Sequence, residues 1–203
     1  SFDCLPELLT AEGYRSAYFS SSGRSMLYWH NLVANLGFEF FFAYEDMVHD
    51  GFEDANSWAY EDDIILEPSE AWLRAGTGPF VVAYMPAAPH FEYLGPRRYG
   101  RHFFVPDDGD PTTNEEESNY NLYLNAVHYS DYFVANLFEQ YDRLGLLDDT
   151  VFVLLGDHGE GFGRHMPLQH NANPYEEAVH TPLWIHQNGR FVGGQRVDGL
   201  TSQ

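Results

Sequence analysis

The residues best suited to chemistry lie in the stretch VFVLLGDHGEGFGRHMPLQHNANPYEEAVHTPLWIH, residues 151–186. An apolar run breaks at Asp157-His158, and Glu160, His165, His170, Glu176, Glu177 and His180 follow. A hydrophobic core has no use for that density of carboxylates and imidazoles. Together they form a donor set for zinc or manganese, whereas calcium prefers oxygen ligands alone. Asp157 and His158 are therefore read as metal ligands. The plainer alternative for Asp157 is a helix N-cap following a strand. Glu160 is read as orienting a ligand or capping a helix rather than binding metal, a common role for carboxylates just outside the coordination sphere. His90, which closes PFVVAYMPAAPH, is the third candidate.

The surrounding pattern supplies elements to position these groups. TVFVLLG, PFVVAYM and TPLWIH read as buried strands, and YRSAYFS alternates like a strand. LPELLTAE is expected to form a short helix capped by Asp3 or Ser1, with Pro6 in its first turn and Gly13 at its end. MLYWHNLVANLG and EPSEAWLRAG read as two further helices. From Asn119, Leu122, Ala126, Tyr129, Phe133, Leu137 and Tyr141 recur at steps of three and four, which marks a long amphipathic helix ended by Gly145. Residues 44–70 read as acidic and irregular up to the EPSEAWLRAG helix, and residues 106–118 as an acidic, mobile surface loop. Strands alternating with helices predict an α/β fold with a mainly parallel central sheet flanked by helices. In such sheets ligands gather beyond the carboxyl ends of the strands, where Asp157-His158 and His90 both fall.

Composition bounds the function. The chain has 203 residues, 44% of them hydrophobic, enough for a single domain with a sizeable core. Its formal charge is −21, and all ten basic residues are Arg. Such a surface repels nucleic acid and anionic lipid, so neither is expected as a direct partner. A lone Cys4 excludes an internal disulfide framework and a Cys-rich zinc module. No apolar stretch approaches the ~20 residues of a membrane span.

LLGDHGEGFGRH followed by PYEEAVHTPLWI resembles the sulfatase-like branch of the alkaline phosphatase superfamily, whose members read DHGE, GEH and then YEE..R.PL. LPELLTAEGYRSAYF, the PH..Y loop at His90, and YLNAVHYSDYFVANLFEQYDRLGLLDDTVFVLLGDHGE extend the similarity over most of the chain. The resemblance implies an alkaline phosphatase-like fold, here incomplete at both ends, and residues 1–203 as part of a single catalytic domain. It also implies metal-assisted attack of a side-chain nucleophile on a sulfate or phosphate ester. One divalent ion is implied, zinc, manganese or calcium, with a second in some members. By position, Asp157 and His158 match two family metal ligands. His90 matches a histidine that binds the transferred sulfuryl or phosphoryl group or a second metal, His170 matches a position that contacts the transferred group, and both are assigned catalytic and substrate-binding roles. His165 matches the GEH histidine and is assigned to substrate binding. An extracytoplasmic setting and a membrane-anchored parent are further implications.

Four departures from the family pattern matter. Sulfatases place a lysine where this chain has His170, and phosphoethanolamine transferases a histidine, which tilts the reading towards phosphoryl chemistry. Arg164 stands in place of the usual Glu before His165, and His180 falls where an Arg is common. No C/S-x-P-x-R nucleophile pattern occurs: Cys4 precedes Pro6, but Leu8 fills the arginine position. The chain is thus expected to hold about half of a catalytic site and to be inactive by itself. The rival within the enzyme class is a phosphoethanolamine or phosphoglycerol transferase acting on a membrane lipid or cell-wall polymer. A non-catalytic remnant of the fold is the rival outside it.

Overall fold

A computed structural model describes residues 3–94, 96, 115–162, 175–197 and 199. The chain divides into two compact units, residues 1–140 and 141–203.

Unit 1 is built on a parallel three-stranded sheet of β1 (Arg15–Ser20), β2 (Phe40–Phe42) and β5 (Phe80–Met85), in the order β2-β1-β5. Ala17 lies opposite Phe40 on one side and Val82 on the other. With neighbours on both edges, β1 is the buried strand: Ala17 and Phe19 are fully enclosed, while every residue of β5 is only partly covered. The expectation that PFVVAYM is a buried strand is therefore corrected. Its apolar run is as long as that of β1, but it occupies an edge.

Alternation along β1 assigns the two faces. Ser16 and Tyr18 point towards α1 (Leu5–Ala11) and α2 (Trp29–Asn35): Thr10 Oγ1 donates to Ser16 Oγ at 3.2 Å, and the Tyr18 and Trp29 rings lie 5.9 Å apart. Ala17 and Phe19 point the other way, into a core with Ile64, Ile65, Phe133 and Leu137. The last two come from α4 (Glu115–Arg143), and Trp72 of α3 (Leu66–Ala75) packs against the same cluster. Each fully buried Phe or Ile there contributes about 1.5–3 kcal/mol relative to exposure. The parallel sheet between helices is the α/β layering expected.

Local chemistry explains several boundaries. Pro6 sits in the first turn of α1, and Gly13 ends it at φ +87°. The N-cap is Cys4, without a side-chain cap, rather than the expected Asp3 or Ser1. After α2, Gly37 adopts φ +85°, and a Cβ there would lie 2.6 Å from Cβ of Glu7. Helix α4 begins at Glu115, so the expected loop 106–118 gives way to helix over its last four residues; the rest of it lies outside the described residues.

The stretch read as acidic and irregular contains a small antiparallel pair, β3 (Asp54–Asn56) and β4 (Ala59–Tyr60), followed by a 3-10 turn at Asp62–Ile65. Its acids are not all solvated: Glu61, Asp62 and Asp63 are buried. The apolar Ile64-Ile65-Leu66 run that follows pulls them into the core.

In unit 2, β6 (Phe152–Leu155) pairs with β7 (Leu183–His186) in antiparallel sense, Leu154 opposite Trp184. The short helix α5 (Glu176–Val179) precedes β7. Val153, Leu154, Leu155, Leu183, Trp184 and Ile185 are each about half exposed, which corrects the reading of TVFVLLG and TPLWIH as buried strands. A two-stranded ribbon offers each strand a single neighbour, so apolar sequence alone does not enclose it.

Candidate metal and ester site

Asp157 and His158 leave the end of β6 in a tight turn. Asp157 Oδ1 accepts the His158 amide at 2.9 Å, and Nδ1 of His158 lies 2.8 Å from the Gly159 carbonyl. A carbonyl can only accept, so this bond puts the imidazole proton on Nδ1 and the lone pair on Nε2. Nε2 in turn lies 3.8 Å from Asp157 Oδ2. Two ligands bound at about 2.0–2.2 Å to one ion can span that separation. The other reading of Asp157, a helix cap, fails because residues 158–162 form no helix.

Gly159 shows why the turn needs glycine. Its amide donates to the Ala178 carbonyl at 2.9 Å, and a Cβ would sit 2.1 Å from the Glu177 carbonyl oxygen. The DHG and YEE segments thus meet backbone to backbone. Gly156 donates to the Pro182 carbonyl at 3.2 Å, tying the other end of the turn to the start of β7. Glu160 uses its carboxylate on the Gly161 amide at 2.8 Å, and Glu176 Oε1 lies 3.4 Å from His180 Nδ1.

His90 belongs to unit 1, where it closes the turn that follows β5. Its amide donates to the Ala87 carbonyl at 3.1 Å, and its ring packs edge-to-face against Trp58 with centroids 4.6 Å apart. His165 and His170 lie outside the described residues. Asp157 and His158 are therefore the two predicted site residues seen side by side. Among the described residues, no group of three or more His, Cys, Asp or Glu side chains converges as a complete metal cage. The Asp157–His158 pair fits a divalent ion as two of its ligands.

The segment that leads to His90 is pinned by a carboxylate that sequence reasoning does not single out. Asp62 is fully buried at the carboxyl ends of β1 and β5. Its Oδ1 accepts from Ser21 Oγ and the Ala87 amide, each at 2.7 Å, and its Oδ2 from the Ala88 amide at 3.3 Å. Burial pushes its carboxyl up to about 6, against the lowering effect of those three donors. Next to it, Tyr129 accepts the Asp63 amide at 3.0 Å and donates to Asp63 Oδ1 at 3.1 Å. Burial, then the nearby Asp62 and Asp63 carboxylates, push the Tyr129 hydroxyl up, so it remains a donor. The signal in the sequence is an acidic triplet set directly against Ile-Ile-Leu.

The family model described as Sulfatase matches residues 1–203. The chain belongs to the Sulfatase family. Lipoteichoic acid synthase 2 of Bacillus subtilis (strain 168) is 26% identical to this Sulfatase-family chain over 208 residues, covering 95% of the chain and 29% of the synthase. An ulvan-active sulfatase of Formosa agariphila is also 26% identical, over 234 residues, covering 98% of the chain and 42% of the sulfatase. Among solved structures, the C-terminal periplasmic domain of EcEptC from Escherichia coli, in complex with zinc, superposes with a TM-score of 0.64 at 17% identity. That match covers 90% of this chain and 51% of the EcEptC domain. The fold is alkaline phosphatase-like, as in solved members of that superfamily. The chain spans less than half the length of the two curated relatives.

Proposed function

We propose that the chain carries the divalent-metal part of a site that breaks a sulfate or phosphate ester, and that its two units belong to one catalytic domain. The observation that carries this reading is the Asp157–His158 turn, with Oδ2 and Nε2 3.8 Å apart and Nδ1 engaged by the Gly159 carbonyl. Asp157 and His158 would hold the ion, and the zinc complex of the EcEptC domain supports zinc as that ion. When bound, it supplies Lewis acidity for the ester oxygen and for an anionic nucleophile.

The chain's own residues do the rest. Asp157 brings negative charge, and the Gly159 carbonyl holds the His158 ring in one tautomer. His90 donates a hydrogen bond to an oxygen of the transferred group, and His165 and His170 bind that group as well. His170 in its protonated form also delivers a proton to the departing oxygen. None of these residues is assigned as the nucleophile.

A second reading, transfer of the acid group to a hydroxyl acceptor instead of water, is favoured by the lipoteichoic acid synthase match over 95% of the chain. His170 in the position of the sulfatase lysine supports the same choice. An extracytoplasmic setting follows by analogy with the periplasmic EcEptC domain.

The test is Asp157→Ala in the full-length enzyme. Turnover of sulfate and phosphate esters should fall by roughly a thousandfold or more, as loss of Lewis-acid stabilisation costs about 1.4 kcal/mol per factor of ten. The melting temperature should change little. Undiminished turnover defeats the metal assignment. Failure of zinc, manganese and calcium to bind in calorimetric titration, with no turnover in the parent, would mark a non-catalytic remnant.

A further inference from the structure

We infer that Trp58 is a positioning residue for His90, holding the imidazole from the β3–β4 turn. The inference rests on the reading of His90 given above. Trp58 is partly buried, and its indole meets the His90 ring at 79°, centroids 4.6 Å apart, close to the short end of the range for favourable edge-to-face pairs. Asn56 fixes both partners. Its Oδ1 accepts the Trp58 amide at 3.2 Å, and its Nδ2 donates to the Ala87 carbonyl at 2.9 Å. That same carbonyl accepts the His90 amide. One buried side-chain amide therefore sets the main chain of the tryptophan and that of the turn bearing the histidine.

The turn itself is anchored on its other sides. Gly23 donates to the Trp58 carbonyl at 3.4 Å, Ala59 bridges to Ser22, and Leu94 donates to the Ala55 carbonyl at 3.1 Å. Trp58 is thus held between the segment leaving β1 and the segment leaving β5. A solvent-facing histidine would sample several χ1 and χ2 wells, and an indole edge or face packed against the ring removes those that swing it away.

The experiment compares wild type, Trp58→Phe, Trp58→Leu and His90→Gln in the full-length enzyme. Trp58 emission, taken as wild type minus Trp58→Phe, should differ from the same difference measured in a His90→Gln background, because the two rings are in contact. Trp58→Leu should lower kcat roughly tenfold or more with KM within about twofold, as expected when an aligned group is released. Trp58→Phe, which keeps an aromatic wall, should recover most of it. A Trp58 emission that is the same with and without His90 overturns the inference, as does equal turnover of wild type and Trp58→Leu. Full turnover in His90→Gln instead overturns the role given to His90, while the emission data still report whether the rings are packed.

Discussion

Asp62 shows how one side chain can organise several loops. Its two oxygens gather Ser21 from the segment after β1 and the amides of Ala87 and Ala88 from the segment after β5. The carboxyl sits at about 6 in the folded protein and near its ordinary 3.8 once unfolded, so the folded state binds the extra proton across that window. Stability from this group is complete below about pH 4 and lost as pH rises through about 6, with a span of about 3 kcal/mol. Asp62→Asn should therefore cost more at about pH 4.5 than at pH 7 in urea titrations. A cost that grows with pH would refute the assignment. The adjacency of Asp157 and His158 just beyond β6 is legible in the sequence because a carboxylate and an imidazole directly follow an apolar strand. Asp62 is not, because burial of one acid among thirty-one acidic residues is settled by tertiary packing.

At the scale of elements, local pattern locates the strands and helices but not their environment. Helix α4 is marked by its apolar spacing, and α1, α2 and α3 by their proline and glycine boundaries. Strand burial escapes such reading because sheet order is set by distant pairing: β1 is central and β5 lies at an edge. The antiparallel β6–β7 pairing is likewise absent from any local signal. Gly37 is the element boundary with least tolerance. Its φ of +85° and the Glu7 backbone 2.8 Å from a would-be Cβ oppose any side chain. Gly37→Ala should lose about 2–4 kcal/mol in chemical denaturation, more than a glycine freed only from its backbone preference. A loss below about 1 kcal/mol would show that α1 and α2 move apart at little cost.

For the molecule as a whole, charge governs behaviour outside the core. Thirty-one acidic residues against only ten arginines, a formal −21, make the folded surface repel itself. At 0.1 M salt the screening length is about 10 Å, and at 1 M about 3 Å. Raising sodium chloride from about 0.05 to about 0.5 M should thus raise the melting temperature by several degrees, since mutual repulsion between carboxylates weakens. A falling melting temperature would mean that ion pairs such as Arg24–Asp46 and Arg74–Glu70 outweigh the repulsion.

The parallel register of β1, β2 and β5 has a consequence for how such a protein changes over generations. All three strands release the chain at one rim, and Asp62 pins two of those exits at Ser21 and at Ala87-Ala88. Insertions and deletions therefore have room only beyond the pins. Segments placed there can lengthen, shorten or acquire new side chains without disturbing a ladder bond, so a lineage can refit what those loops meet while its scaffold stands still.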